Sequence, residues 1–80
     1  MAYNKNKLTH DESEKSIEAI EEAIKYFGSQ RKLAKEIGIP NQNISLMKLG
    51  RRVIPIHHAI AIENITKGYV KKSNLRPDVF

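Results

Sequence analysis

Two short amphipathic segments that meet at Gly38 constrain the fold of this sequence more than any other feature. The first segment begins at Gln30 and the second ends near Leu49. Glycine adopts positive φ without a Cβ penalty, so Gly38 suits a tight turn between two helices. Ala34 is small where two helices joined by such a turn must pass closely. The spacing matches a helix-turn-helix in five positions, which are Gln30, Ala34, Gly38, Ile44 and Met47. We therefore predict this motif over residues 30–49, with a look-alike helical bundle as the alternative.

The outward side of the second helix, which we predict over residues 41–49, is polar and carries no acidic residue. No Asp or Glu occurs between residues 37 and 62, so this surface would not repel phosphates. Asn and Gln amides can hydrogen-bond adenine in the major groove, and an apolar side chain can contact the thymine methyl group. A merely solvated helix face has a similar composition, but the adjacent motif favours DNA reading. The predicted reading residues are Asn41, Gln42, Asn43, Ser45, Leu46 and Lys48.

Phosphate contacts are predicted at the two ends of the motif. The N-terminus of a helix attracts anions through its free N–H groups and its dipole, which implicates Ser29 and Gln30, with Arg31 and Lys32 beside them. At the other end, Lys48 precedes Arg51 and Arg52. Ordinary surface charge is an equally good account of any one of these cations.

Length and charge limit the class of protein. Eighty residues without cysteine make one small domain that no disulfide or thiolate metal site can stabilise. The six acids and three lysines of residues 1–22 give a charge of −3, whereas residues 23–80 carry +8. A basic body behind an acidic first helix suits a polyanionic partner, and ordinary solubilising charge is the alternative.

The remaining helices follow from spacing and caps. Thr9 and Glu12 have capping-box spacing, and a helix is predicted from about residue 11 to 26. Gly28 is its predicted C-cap, and Ser29 is the predicted N-cap of the next helix. The apolar face of the first helix is expected to contain Ile17, Ile20, Ile24 and Phe27, with Tyr26 in or near the core. A fourth helix is predicted from Pro55, in its first turn, to Gly68, followed by a short turn near residues 73–76. No strand pattern is convincing, so the fold class is all-α.

The chain divides into a flexible N-terminal arm (1–10), the helix-turn-helix domain (11–68) and a C-terminal tail (69–80) that packs on the domain or on a partner. No apolar stretch is long enough for a membrane helix, and the N-terminus lacks a signal-like run, so cytoplasmic residence is expected. Neighbouring His57 and His58 diverge on a helix and cannot chelate one ion well. We therefore expect no metal, no cofactor and no enzymatic activity.

Several runs resemble Cro-type phage repressors. The junction of their first two helices is similar to residues 26–34, and the similarity continues in residues 38–40 and 44–45. Their fourth helix is similar to residues 53–55, 61–63 and 66–68. The ending, residues 75–80, resembles the close of the YdaS-like group of prophage regulators. The resemblance covers about residues 17–80. It departs at Met47, where the family usually has Trp, and in the long acidic first helix.

This resemblance implies a compact four- to five-helix λ-repressor-like domain that represses transcription by binding operator DNA, often as a dimer on a palindrome. Two copies would then occupy half-sites about 34 Å apart. The dimer surface is expected on the fourth helix and the tail, at Tyr69, Val70, Val79 and Phe80. The alternative for Val79 and Phe80 is that they fold back on the chain's own core. Some members of the group are antitoxins, so a toxin protein, bound through the tail or the acidic first helix, is the alternative partner.

Overall fold

The computed structural model describes residues 8–80, and this part of the chain folds into five α-helices without a strand. They are α1 (His10–Phe27), α2 (Gln30–Ile37), α3 (Asn41–Lys48), α4 (Ile56–Ile65) and α5 (Lys72–Leu75). The all-α prediction is therefore confirmed. None of the helices within this range combines the length and apolar character that a bilayer crossing requires.

The starts of α1 and α2 are set by the predicted caps. The Glu12 N–H donates to Thr9 Oγ1 at 3.2 Å, and the Thr9 N–H donates back to Glu12 Oε1 at 2.9 Å. These two bonds satisfy amides that have no acceptor within the helix. Likewise, Ser29 Oγ accepts from the Lys32 N–H at 3.1 Å and fixes the start of α2. Of the predicted N-terminal arm, residues 1–7 lie outside the described residues.

The buried side of α1 is centred on small residues. Ala19, Ile20 and Ala23 are buried together with Ser16, whereas Ile17 lies only half-buried at the edge of the core. Alanine lets neighbouring helix backbones approach closely, so this narrower side packs against α2, α3 and α5. Ile24 and Phe27 are also half-buried, but they pack against this core, so the predicted apolar face is confirmed at these two positions and at Ile20.

The position of Tyr26 corrects the prediction. Its side chain is 47% exposed, although it was expected in or near the core. Its ring contacts Phe27 edge-on at 5.3 Å and Tyr69 at 5.6 Å between centroids. The Tyr69 hydroxyl donates to Glu22 Oε1 at 3.2 Å, so the two tyrosines form an exposed pair outside the core.

Helix α4 presents apolar residues both inward and outward. Ala59 and Ile62 are buried, but Ile56, Ile60 and Ile65 are exposed. Pro55 precedes the helix as its N-cap residue instead of lying in its first turn, because its ψ of 147° is extended and Ile56 is the first helical residue. The helix ends at Ile65, and residues 66–68 form a turn where helix had been predicted.

The C-terminal segment completes the core. Val70 and Leu75 are buried, and α5 packs against both α1 and α4. Arg76 is buried with Asp78, and its guanidinium donates through Nε and Nη2 to the two Asp78 carboxylate oxygens at 2.9 Å each. Nη1 of Arg76 donates to the Ile54 carbonyl at 2.8 Å. This last hydrogen bond joins the C-terminal tail to the segment that leads into α4.

Candidate functional site

The turn between α2 and α3 has the conformation that the sequence predicted. Gly38 has φ +75°, and both its N–H and that of Ile39 donate to the Ala34 carbonyl, at 2.9 and 3.1 Å. Both bonds satisfy the Ala34 carbonyl in the last turn of α2. Leu33, Ile44 and Met47 are buried beneath the turn. The result is a short helix pair whose relative orientation is set by its own core.

Gln30 connects the two helices on the outside of the pair. The two hydrogens of its Nε2 are shared among three acceptors, the Asn41 carbonyl at 3.2 Å, Asn41 Oδ1 at 3.1 Å and Ser45 Oγ at 2.7 Å. Its Oε1 accepts from Lys48 Nζ at 3.5 Å. One α2 side chain therefore spans two turns of α3. The sequence had suggested Gln30 as a phosphate contact and gave no sign of this cross-helix role.

The predicted reading residues line the outer side of α3. Asn41, Gln42 and Lys48 are exposed, and Asn43, Ser45 and Leu46 are half-buried. Within the described part of the chain, the side chains of Gln42 and Asn43 make no hydrogen bond. They are therefore available to a ligand, whereas Asn41 and Ser45 already accept hydrogen bonds from Gln30.

The backbone turn at the end of α3 determines where Arg51 and Arg52 lie. The Gly50 N–H donates to the Met47 carbonyl at 3.1 Å, and the Arg51 N–H donates to the Leu46 carbonyl at 2.9 Å. With Gly50 at φ +74°, this pair of bonds is a Schellman motif, which turns the chain sharply away from the helix. Arg51 and Arg52 follow as exposed residues. They border an open groove of about 480 Å³ between this loop and α1.

Ser29 and Arg31 lie at the opposite end of the helix pair, where α2 begins. Arg31 is exposed, and no acidic residue occurs in the first turn of α2. Leu49 was not singled out from the sequence, yet its side chain is 67% exposed directly after α3. The signal in the sequence was an apolar residue at the end of a polar helix face, outside the spacing of Ile44 and Met47.

His57 and His58 lie in the first turn of α4 with ring centroids 4.1 Å apart. Burial, and secondly the neighbouring His57, lowers the pKa of His58 below its ordinary value of 6.5. Within residues 8–80, no three His, Cys, Asp or Glu side chains are close enough together to hold a metal ion.

Comparison with known proteins gives one match. No curated protein and no solved structure is similar enough to count as a match. The model of a family described as bacterial toxin YdaS matches residues 20–80, which is about three quarters of the chain and includes α2 to α5. This description agrees with a function connected to toxin–antitoxin systems, whereas the Cro-type repressor assignment stays a prediction. The match confirms the YdaS part of the resemblance: the chain belongs to the YdaS family.

Proposed function

We propose that this protein is a Cro-type, sequence-specific DNA-binding regulator that places α3 in the major groove. The strongest support is the set of hydrogen bonds from Gln30 of α2 to α3, which fixes the orientation of α3. The outer side of α3 is polar and carries no acidic residue. Reading bases requires a helix in a defined orientation, because hydrogen bonds to base edges have narrow geometry. An acid-free surface avoids repulsion from the phosphates on either side of the groove.

Gln42 is the principal reading residue in this proposal. It is exposed on α3 and its amide has no partner among the described residues, so both its donor and its acceptor remain available for adenine. Asn43 lies beside it with its amide equally uncommitted. Leu46 supplies an apolar contact for a thymine methyl group from the next turn.

Phosphate binding falls to the two ends of the pair. Arg31 and the first amides of α2 would contact one backbone, since the Ser29 side chain engages only the Lys32 N–H and the preceding amides have no acceptor within the helix. Lys48, Arg51 and Arg52 would contact the backbone at the far end of α3. Each neutralised phosphate should add about 0.9 to the slope of log affinity against log salt.

Fluorescence anisotropy tests this function with the DNA upstream of the protein's own gene and with a shuffled duplex of equal length. We expect the double variant Gln42→Ala, Ser45→Ala to bind the upstream DNA about tenfold less tightly, as expected for the loss of one base contact. Its binding to the shuffled duplex should stay within twofold of the wild-type value. Equal affinity of variant and wild type for the upstream DNA would remove α3 as the reader, and a flat salt response would remove DNA binding altogether.

Homodimerisation on DNA remains part of the proposal. Exposed apolar side chains suitable for it occur on α4, at Ile56 and Ile60, and at Val79 and Phe80 in the tail. Val70 is buried and offers no surface, although the sequence suggested it. Sedimentation of the protein with a full palindrome and with a half-site would give the number of copies bound to each.

A partner protein in a toxin–antitoxin system is the second candidate, and the family's description favours it. Deleting residues 69–80 would be a poor test, because Val70 and Leu75 are buried and the fold would be lost with them. The exposed pair Tyr26 and Tyr69 is a better target, since aromatic residues often anchor protein interfaces. Co-purification of the product of the adjacent gene should fail for Tyr69→Ser and persist for Gln42→Ala. Retention by both variants would exclude this surface.

A further inference from the structure

We propose that the first two turns of α1 position the loop of residues 50–54, which carries Arg51 and Arg52, for phosphate binding. Ile17 is the positioning residue. This inference rests on the proposed function, in which the two arginines contact the DNA backbone. It gives a role to the part of α1 that precedes residue 20, where the match to the family model begins.

The loop is anchored to the rest of the chain at both of its ends. Its far end is Ile54, which is fully buried and whose carbonyl accepts a hydrogen bond from Arg76 at 2.8 Å. Its near end is Gly50, which belongs to the Schellman motif after α3. Arg51 and Arg52 lie between these two anchors as exposed residues, and no described residue pairs with either guanidinium.

Gly50 is held from the side of α1. A Cβ placed on this glycine would lie 3.4 Å from Ile17 Cδ1 and 3.4 Å from Ser13 Oγ, so both side chains lie against its backbone. Ser13 and Ile17 are four residues apart, which places them on one face of α1. Ile17 is half-buried at the edge of the core, so it covers the start of the loop instead of filling the interior.

An anchored loop binds phosphate more tightly because its backbone is already ordered before DNA arrives. Ordering the backbone of a single residue costs about tenfold in an equilibrium constant, and a loop that is free at one end loses this factor on binding. An open groove of about 480 Å³ separates α1 from the loop beyond Gly50. The contact of Ile17 and Ser13 with Gly50 is therefore the point through which α1 sets the position of both arginines.

Amide hydrogen exchange of the free, full-length protein tests whether Ile17 holds the loop. The Arg51 N–H donates to the Leu46 carbonyl, so its exchange reports opening of the loop. We expect Ile17→Ala to speed this exchange about tenfold relative to the amides of α2, and Ile17→Val, which removes only the contacting Cδ1 methyl group, to speed it less. Ile24→Ala is the matched control, because Ile24 is also half-buried on α1 but packs against the core about two turns from Ile17. Unchanged Arg51 exchange in a folded Ile17→Ala protein would overturn the inference.

Anisotropy titration connects the anchored loop to DNA binding. We expect Ile17→Ala to weaken binding to the upstream and the shuffled duplex alike, by about tenfold, because phosphate contacts carry no sequence information. In the Arg51→Gln, Arg52→Gln background, adding Ile17→Ala should change the affinity by less than about twofold. A tenfold effect that persists in this background would also overturn the inference, since Ile17 would then act on another part of the surface. A wild type that binds neither duplex would refute the proposed function and with it the role of the loop in DNA binding, whereas unchanged exchange refutes the inference alone.

Discussion

Arg76 and Asp78 form a bidentate ion pair in which both guanidinium–carboxylate distances are 2.9 Å and both side chains are almost fully buried. The pair does not stand alone, because Arg76 also donates to the carbonyl of Ile54 before α4. Charges removed from water in this way are stable only while each has its partner.

Removing one member of this pair should be strongly destabilising. We expect Arg76→Met to lower the free energy of unfolding by about 3–5 kcal/mol, since Asp78 would remain as a buried charge without its main partner. For a small domain that is a large share of the total stability. The combined variant Arg76→Met, Asp78→Leu should lose less than the single variant. Urea denaturation measures both, with exposed Lys71→Met as the control, and a loss below about 1 kcal/mol for Arg76→Met would contradict the prediction.

Gly38 should tolerate asparagine better than alanine. No atom lies within 4 Å of the position that a Cβ would occupy, so the cost of substitution comes from its φ of +75° alone. Left-handed backbone costs an ordinary residue roughly 1–2 kcal/mol, and asparagine adopts it more readily than alanine. Thermal unfolding should therefore rank the wild type above Gly38→Asn and Gly38→Asn above Gly38→Ala. Equal melting temperatures for the two variants would show that the positive φ does not determine the cost of substitution at this turn.

Stability should depend on pH through His58. Burial, with a contribution from His57, lowers its pKa in the folded chain below 6.5. Below pH 6.5 the unfolded chain then binds more protons than the folded one, so stability is complete above that pH and falls as the pH drops towards the folded pKa. Urea midpoints between pH 5 and 8 should show this decline in the wild type, less of it in His57→Gln and least in His58→Gln. The same decline in His58→Gln as in the wild type would assign it to another group.

Arg51 and Arg52 should contribute salt dependence without sequence preference. Each lies exposed beyond the Schellman motif, near the end of α3. In anisotropy titrations from low to high salt, Arg51→Gln should reduce the slope of log affinity against log salt by about 0.9. It should weaken binding to specific and shuffled duplexes alike. Lys67→Gln, in the turn after α4, is the matched control and should leave the slope unchanged.

The parts of the fold that depend on neighbouring residues could be predicted from the sequence. The capping box at Thr9, the Ser29 cap and the positive φ of Gly38 are all local arrangements, and all are present. The two ends of α2 could be predicted for the same reason, because the Ser29 cap and Gly38 bound it on either side.

Packing and side-chain direction could not be predicted in the same way. The buried side of α1 lies where the small residues Ala19 and Ala23 allow neighbouring helices to approach closely. The spacing of apolar residues in the sequence indicates only where the large side chains lie. The Gln30 amide faces Ser45, 15 residues further along the chain, and only the relative position of two helices creates that contact. The burial of Arg76 likewise requires the Ile54 carbonyl, 22 residues earlier in the sequence.

The location of Gln30 in α2 has a consequence for how members of the family can be compared. Its amide contacts Asn41, Ser45 and Lys48, so a change at this position alters the surroundings of three α3 side chains and leaves the sequence of α3 as it was. Two family members with identical α3 sequences can therefore present different outer surfaces on that helix, and position 30 belongs in any comparison of them.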